Sequence, residues 1–283
     1  MKELRLYANK FHIIGITETW VGSHILDAEV KIEGFTAIRS DRLDRKGGGT
    51  MLYVKDFLMP EDQTKLINSG FKESAWCTVR IHNLQLLVGV CYRSPTSDDV
   101  NNKQLLDLFE KASSVVNSNN NMRLMIMGDF NYPDIDYCNY TVSSHVSSAA
   151  SNFFHKTQDL FLAQHVVGPT RFVERHKPST LDYVFTDDAS LIDQVIHKEP
   201  IGKSDHECLE WTLNIPSVEP QEHVPKLNYW KGDYHKMNEI LGNMNWQEIS
   251  DVSTVEQKWN IFKSTIHRLV SQYVPLKKPY KKK

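Results

Sequence analysis

No stretch of this chain approaches the ~18 apolar residues in a row that a membrane span requires. Its opening Met1-Lys-Glu-Leu-Arg-Leu-Tyr-Ala-Asn-Lys10 is too charged for a secretory leader. Neither insertion nor export is expected, and the chain is assigned to the nucleus or cytoplasm. Cysteine is scarce: Cys77, Cys91, Cys138 and Cys208 are far apart and form no Cys-x-x-Cys pair. A zinc cluster and a disulfide framework are thereby excluded, and the four read as buried thiols. An excess of either charge is also missing, with 33 Lys and Arg against 35 Asp and Glu, and 40% of residues are hydrophobic. That combination excludes disorder over the whole chain. There is no internal repeat, and only the lysine-rich end is of low complexity. What is there is 283 residues, enough for one domain of ~200–250 residues with an appendage, or for two smaller ones.

The near balance of charge hides an asymmetry. Residues 217–283 hold eleven basic and seven acidic side chains, leaving 22 basic against 28 acidic in residues 1–216. A duplex-binding surface usually shows a basic excess. Carboxylates gathered around a divalent ion, however, make a sequence look acidic while the ion reverses the local sign.

Residues 1–216 alternate between strand and helix patterns. Glu3–Lys10 reads as helix, His12–Thr17 as a short apolar strand, and Thr50–Val54 as a strand after the Gly47-Gly48-Gly49 turn. Ala75–Ile81 and Leu84–Tyr92 flank His82-Asn83 as a hairpin. Lys103–Val116 and Ser147–Leu160 carry apolar residues at helical spacing. Arg123–Met127, Leu181–Phe185, Val195–His197 and Leu209–Asn214 read as further strands, giving a layered α/β body. Three prolines within 216–225 mark a linker. Beyond it, Val255, Trp259, Phe262, Ile266, Leu269 and Tyr273 step along one helix face. The expected division is therefore 1–216 and 217–283, the second a linker and helical connector with a lysine-rich end.

The candidate chemistry sits at strand ends. Gly128-Asp129-Phe130-Asn131 follows the strand Leu124–Met127, so a continued extended backbone would put Asp129 and Asn131 on one side and Phe130 in the core. The carboxylate suits proton abstraction from water, and the amide suits donation to a phosphoryl oxygen. A strand-ending turn explains the same four residues with no chemistry. Three further clusters shift the balance. Thr17-Glu18-Thr19-Trp20 places one carboxylate after an apolar strand, a position suited to a hard metal ion. Asp182 stands among apolar neighbours and needs a partner. Ser204-Asp205-His206 offers one, since His206 can be oriented through one ring nitrogen while donating from the other.

In this ordered set the chain resembles the endonuclease/exonuclease/phosphatase superfamily, and more narrowly the apurinic-endonuclease-like domain of non-LTR retrotransposons. Its carriers are Thr17–Trp20, Gly47–Gly49, Tyr92-Arg93-Ser94-Pro95, Gly128–Asn131, Gly168-Pro169-Thr170-Arg171, Leu181-Asp182-Tyr183 and Ser204–His206. The resemblance implies a four-layered α/β sandwich of two packed mixed sheets flanked by helices, with a small helical C-terminal extension. It implies Glu18 at a Mg2+ (or Mn2+) ion, with Asp205 near the ion or leaving group, and Asp129 activating water. Asn131, Tyr92 and His206 would contact the scissile phosphate, with Asp182 behind His206. Thr170 and Ser204 would supply supporting hydroxyls on the substrate side, and Arg93 a phosphate or structural contact.

The implied activity is metal-dependent nicking of DNA that leaves a 3′-hydroxyl, with DNA and an adjoining reverse transcriptase domain as partners and no membrane. A catalytically silent binding module is the alternative from another class, and a different phosphodiesterase or phosphatase of the superfamily is the third. One departure stands out. The family places a strand with a metal-binding Asn before the helix matched by Glu3–Lys10, and this sequence opens at that helix. An N-terminally truncated domain of reduced activity is the expectation.

Overall fold

Local sequence decides where each element starts. In the computed structural model, which describes residues 2–22, 24–42, 46–215, 227–252 and 254–276, helix α1 covers Lys2–Ala8. The apolar run after it is strand β1, Ile13–Thr17. One helical turn, α2 at Asp27–Val30, leads to β2, Phe35–Ser40, and the glycine turn delivers the chain into β3, Thr50–Lys55. Strand β4, Glu61–Asp62, and helix α3, Thr64–Ile67, precede the hairpin of β5, Ser74–Ile81, and β6, Leu84–Tyr92. The Asp98 side chain accepts from the Asn101 N–H and so starts α4, Asp99–Asn117, which hands over to β7, Met122–Asp129. A ribbon of β8, Ile135–Asp136, and β9, Thr141–Val142, comes before α5, Ala149–Asp159, capped by Ser148. Strands β10, Ala163–Gln164, β11, Asp182–Thr186, β12, Ile192–Lys198, and β13, Cys208–Leu213, follow.

The strands form a six-stranded sheet in the order β10-β11-β7-β6-β5-β4 and a three-stranded sheet β1-β3-β2, with β12-β13 and β8-β9 as separate pairs. The β6–β7 ladder is parallel and needs a long crossover, which α4 supplies. Ile38, Leu52 and Val54 of the smaller sheet pack on Ala75, Val79, Val88, Val90 and Met125 of the larger. Leu4, Ala8 and Val30 cover its outer face, while α4 and α5 cover the far face of the six-stranded sheet. The layered α/β sandwich read from the sequence is borne out. In detail the six-stranded sheet is mixed, and its counterpart is antiparallel and lies in two pieces, β2-β3-β1 and β12-β13.

The strongest packing lies under α4 and α5. Phe109, Phe130, Phe153 and Phe185 are fully buried and meet at centroid distances from 5.1 to 5.9 Å. Each such side chain contributes roughly 1.5–3 kcal/mol by leaving water. Phe130 thus turns inward as expected and anchors the segment between Asp129 and Asn131. Gly128 is required there, because a Cβ on it would stand 1.9 Å from the Cys91 carbonyl oxygen. Of the thiols, Cys77 and Cys91 are buried, whereas Cys138 is exposed and Cys208 half-buried. Their apolar sequence neighbours misled for Cys138, which follows the β8 turn at the surface.

By its contacts the chain divides into two units, Met1–Ser217 and Val218–Lys283. In the second, α6, Tyr234–Gly242, and α8, Val255–Tyr273, contribute to a small core of Met237, Leu269 and Val274, and α7, Gln247–Asp251, lies against α8. The expected stripe on α8 is buried only toward its end, with Val255, Trp259 and Phe262 exposed. The proline-rich stretch and the terminal lysines at 277–283 lie outside the described residues. Among those described, no helix is long and apolar enough to cross a membrane.

Candidate active site

Strand register creates the centre of the site. In the β7–β11 ladder Asp129 lies directly opposite Asp182. Asp129 is 3% exposed, and burial followed by the charge of Asp182 pushes its carboxyl well above the usual carboxylate range, against the pull of His206 and Asn131. Strand β7 ends at Asp129, and Asn131 takes a left-handed φ of 51°. The two side chains therefore meet through a tight turn and not through a continued strand. Asn131 donates to Asp129 from its backbone N–H at 3.1 Å and from Nδ2 at 2.8 Å, and from Nδ2 to the Arg93 carbonyl at 2.9 Å. With both amide hydrogens engaged, Asn131 orients Asp129 instead of facing a phosphate.

Asp182 is held from two sides. Its Oδ2 accepts from Thr170 Oγ1 at 2.6 Å and lies 2.8 Å from His206 Nδ1. Burial alone would lower the imidazole pKa, but the hydrogen bond and charge of Asp182, with Asp129 and Asp205 behind it, raise it. The loop carrying His206 is tied to the Thr170 segment by backbone bonds from Phe172 to Asp205 and from Glu207 to Thr170. Ser204 Oγ accepts the His206 N–H at 3.0 Å. Asp205 pairs with Arg171 at 2.7 Å. Burial would raise its carboxyl, and the Arg171 hydrogen bond and charge, with His206, bring it below the ordinary value.

Glu18 occupies the end of β1 with a φ of 50°, a backbone state that costs of order 1–3 kcal/mol outside glycine. The glycine turn holds it there: Thr19 and Trp20 donate to the carbonyls of Gly49 and Gly48. A Cβ at Gly49 would stand 2.7 Å from Thr19 Oγ1, so the turn has no room for a side chain. Tyr92 donates to Glu18 Oε1 at 2.5 Å and Trp20 Nε1 to Oε2 at 2.8 Å. Burial first, then the carboxylate, drives the Tyr92 phenol upward. Arg42, paired with Glu73, sits over the Tyr92 ring at 5.5 Å.

One cleft is lined by Glu18, Asp129, Asn131, Asp182, Ser204, Asp205 and His206. Tyr92 is buried beside it, its hydroxyl spent on Glu18. Arg93 and Thr170, expected to touch substrate, are buried instead. Arg93 donates to Asn102 and to the carbonyls of Phe130 and Asn131, and burial lowers its pKa. Thr170 is fully enclosed and braces Asp182. Arg171, Trp20 and Arg42 join the site without having been singled out for it. The first two stood within motifs already quoted, whereas nothing in the sequence near Arg42 marks it. Asp129, Asp182 and His206 bring one ligand atom each within 4.8 Å of one another and could hold a metal ion. Glu18 and Asp205 stand outside that group, each already accepting hydrogen bonds. Two carboxylates this close, one buried, form a set that a divalent cation would balance.

Residues 86–210 match a family described as endonuclease-reverse transcriptase. No curated protein matches the chain. Among solved structures, the endonuclease domain of TRAS1, a telomere-specific non-LTR retrotransposon, is similar with a TM-score of 0.56 at 16% identity over 76% of this chain and 91% of that one. The AP endonuclease LMAP from Leishmania major gives 0.59 at 14% identity, covering 75% and 82%. A 3′-5′ exonuclease from Neisseria meningitidis gives 0.54 at 16%, covering 75% and 93%. The body therefore shares the fold of these nucleases, and its 86–210 stretch carries the sequence pattern of the endonuclease-reverse transcriptase family.

Proposed function

We propose that the chain is a Mg2+- or Mn2+-dependent DNA endonuclease of a non-LTR retrotransposon, nicking one strand to leave a 3′-hydroxyl that an adjoining reverse transcriptase would extend. The observation that carries the reading is the convergence of a buried carboxylate, Asp129, with the Asp182–His206 pair in one cleft. Asp129, aimed by both donors of Asn131, takes the proton of an attacking water. Asp182 fixes Nδ1 of His206, so a protonated imidazole presents Nε2 to a phosphate oxygen. Thr170 and Arg93 hold these two groups in place from behind.

Glu18 and Asp205 are the residues we assign to the ion, with Tyr92 and Trp20 orienting Glu18. When bound, a divalent ion neutralises charge on the phosphate and the departing oxygen. Asp129, Asp182 and His206 form the second possible set, favoured by the closeness of their ligand atoms. Supercoiled plasmid incubated with the chain and Mg2+ tests the reading. Metal-dependent open circles are expected, with Asp129→Asn and His206→Ala each slower by orders of magnitude. Phosphate release from small monoesters without nicking would instead favour a phosphatase of the same fold, and neither activity would favour a silent binding module.

A further inference from the structure

Glu73 does not line the cleft, yet the groups that hold Glu18 lead back to it. It stands just ahead of β5 and pairs with Arg42, the two side chains 12% and 9% exposed. An enclosed ion pair adds little net stability, because lost hydration offsets the attraction. What such a pair supplies is a fixed direction for each group bonded to it.

Three bonds leave Glu73, and each reaches a neighbour of Glu18. Its Oε1 accepts the Gly49 N–H at 2.9 Å, its Oε2 accepts from Arg42, and its backbone carbonyl accepts the Tyr92 N–H at 2.9 Å. Gly49 and Gly48 in turn receive the N–H groups of Thr19 and Trp20 at 3.3 and 3.0 Å. Arg42 lies 5.5 Å over the Tyr92 ring, whose hydroxyl donates to Glu18 Oε1. One carboxylate therefore steers both the backbone that carries Glu18 and the phenol that grips its side chain. Gly48 shows how closely they are joined: its φ is 72°, and a Cβ there would overlap both Glu73 Oε1 and the Arg42 guanidinium. Beside the pair, Ser40 Oγ donates to the Lys72 carbonyl and ties the end of β2 to the same segment. Such restraint is needed. Glu18 and Trp20 both have left-handed φ, 50° and 54°, states that cost of order 1–3 kcal/mol each and persist only where the surroundings impose them.

We propose that Glu73 is the positioning residue for Glu18, acting through the Gly48-Gly49 turn on one side and through Arg42 and Tyr92 on the other. The inference rests on the nuclease reading for the task of Glu18, holding an ion, and not for how Glu18 is held. Groups that orient a metal-binding side chain typically change ion affinity by about 10–100-fold when lost.

The test uses the full chain and two readouts. The first is metal-free. Trp20 Nε1–H, bonded to Glu18 Oε2 at 2.8 Å, is followed by NMR among the six indole signals and identified by its loss in Trp20→Phe. In Glu73→Gln its exchange with water should quicken about tenfold, while the other indoles keep their rates. The second readout is calorimetric titration with Mn2+. Glu73→Gln should bind the ion about 10–100-fold more weakly. Combined with Glu18→Gln it should bind no more weakly than Glu18→Gln alone, since Glu73 acts only through Glu18. An unchanged Trp20 signal, an unchanged Mn2+ affinity, or losses that add in the double variant would each overturn the proposal. A wild-type chain that takes up no Mn2+ would remove the ion from Glu18 and leave the Trp20 signal to decide how Glu18 is held. If Glu73→Gln does not fold, seen as the collapse of all indole signals, Arg42→Lys carries both measurements, because it keeps the charge and loses the fork. Failure of both variants to fold would overturn the proposal by making the pair purely structural.

Discussion

Replacing Asp129 by Asn should stabilise the folded body near neutral pH while abolishing any nicking. In the absence of metal the buried carboxyl is pushed up to about 8 from an ordinary 3.8, first by burial and then by Asp182. A group whose pKa is raised by folding supports the native state below its unfolded value and withdraws that support as pH climbs through its folded value. Near pH 7 the unfolded chain ionises this carboxyl freely, and each unit above 3.8 costs the native state about 1.4 kcal/mol, up to roughly 4 in total. Asparagine removes that cost. Its single amide oxygen cannot accept from both the Asn131 N–H and Nδ2, so one hydrogen bond worth about 1 kcal/mol is lost. The net gain is about 3 kcal/mol, a rise in Tm of roughly 6–12 °C for a body of this size. Thermal unfolding in a metal chelator across the acid-to-neutral range measures it. The variant should be the less stable protein below about pH 4, where the wild-type carboxyl is protonated in both states, and the more stable one near pH 7. A pH-independent offset, or a loss of stability near pH 7, would refute the account of Asp129 as a destabilised buried acid.

Other perturbations follow from the same geometry. Asp182→Asn removes the main influence raising His206, so the imidazole should titrate at lower pH by NMR, and any nicking should fail at lower pH as the proton is lost. Glu18→Gln should raise the Mg2+ concentration needed for half-maximal nicking, while an unchanged metal requirement would move the ion to the Asp129, Asp182 and His206 set. Gly128→Ala should cost more than ~3 kcal/mol in denaturant unfolding, because β6 and β7 must separate to admit a Cβ that now overlaps the Cys91 carbonyl.

The main strands and long helices were legible because their apolar periods are long. The strand Leu84–Tyr92 matches its residue range, and the helix read at Lys103–Val116 is α4 begun earlier, where Asp98 caps it. Elements of two to four residues, such as β4, β8, β9 and β10, have too few positions to show a period. Strand β2 was missed for another reason. Its sequence Phe-Thr-Ala-Ile-Arg-Ser buries only Phe35 and Ile38, three apart, so the alternation that signals a half-buried strand is broken.

At the site, the motifs pointed to residues that the fold gathers in and behind one cleft, but not to how they are arranged there. Asp129, Asp182 and His206 came from three separate stretches, and only the β7–β11 register and the Nδ1 bond bring them together. Long-range pairing of that kind leaves no local signal. Burial was equally invisible: nothing in the short motifs around Tyr92, Arg93 and Thr170 shows that each is enclosed and already hydrogen-bonded. Their enclosure has a physical consequence for the chemistry. A carboxylate or imidazole that must act on a bound phosphate works best when its orientation is fixed before the substrate arrives, since no reorganisation is then needed at the moment of reaction. Thr170 fixes Asp182, Asp182 fixes His206, Asn131 fixes Asp129, and Arg93 fixes the carbonyl of Asn131. Residues expected to touch substrate thus sit behind Asp129, Asp182 and His206 and hold them in place. If the chain is the nuclease proposed above, replacing one of them should slow turnover through misplacement and leave the affinity for DNA largely unchanged.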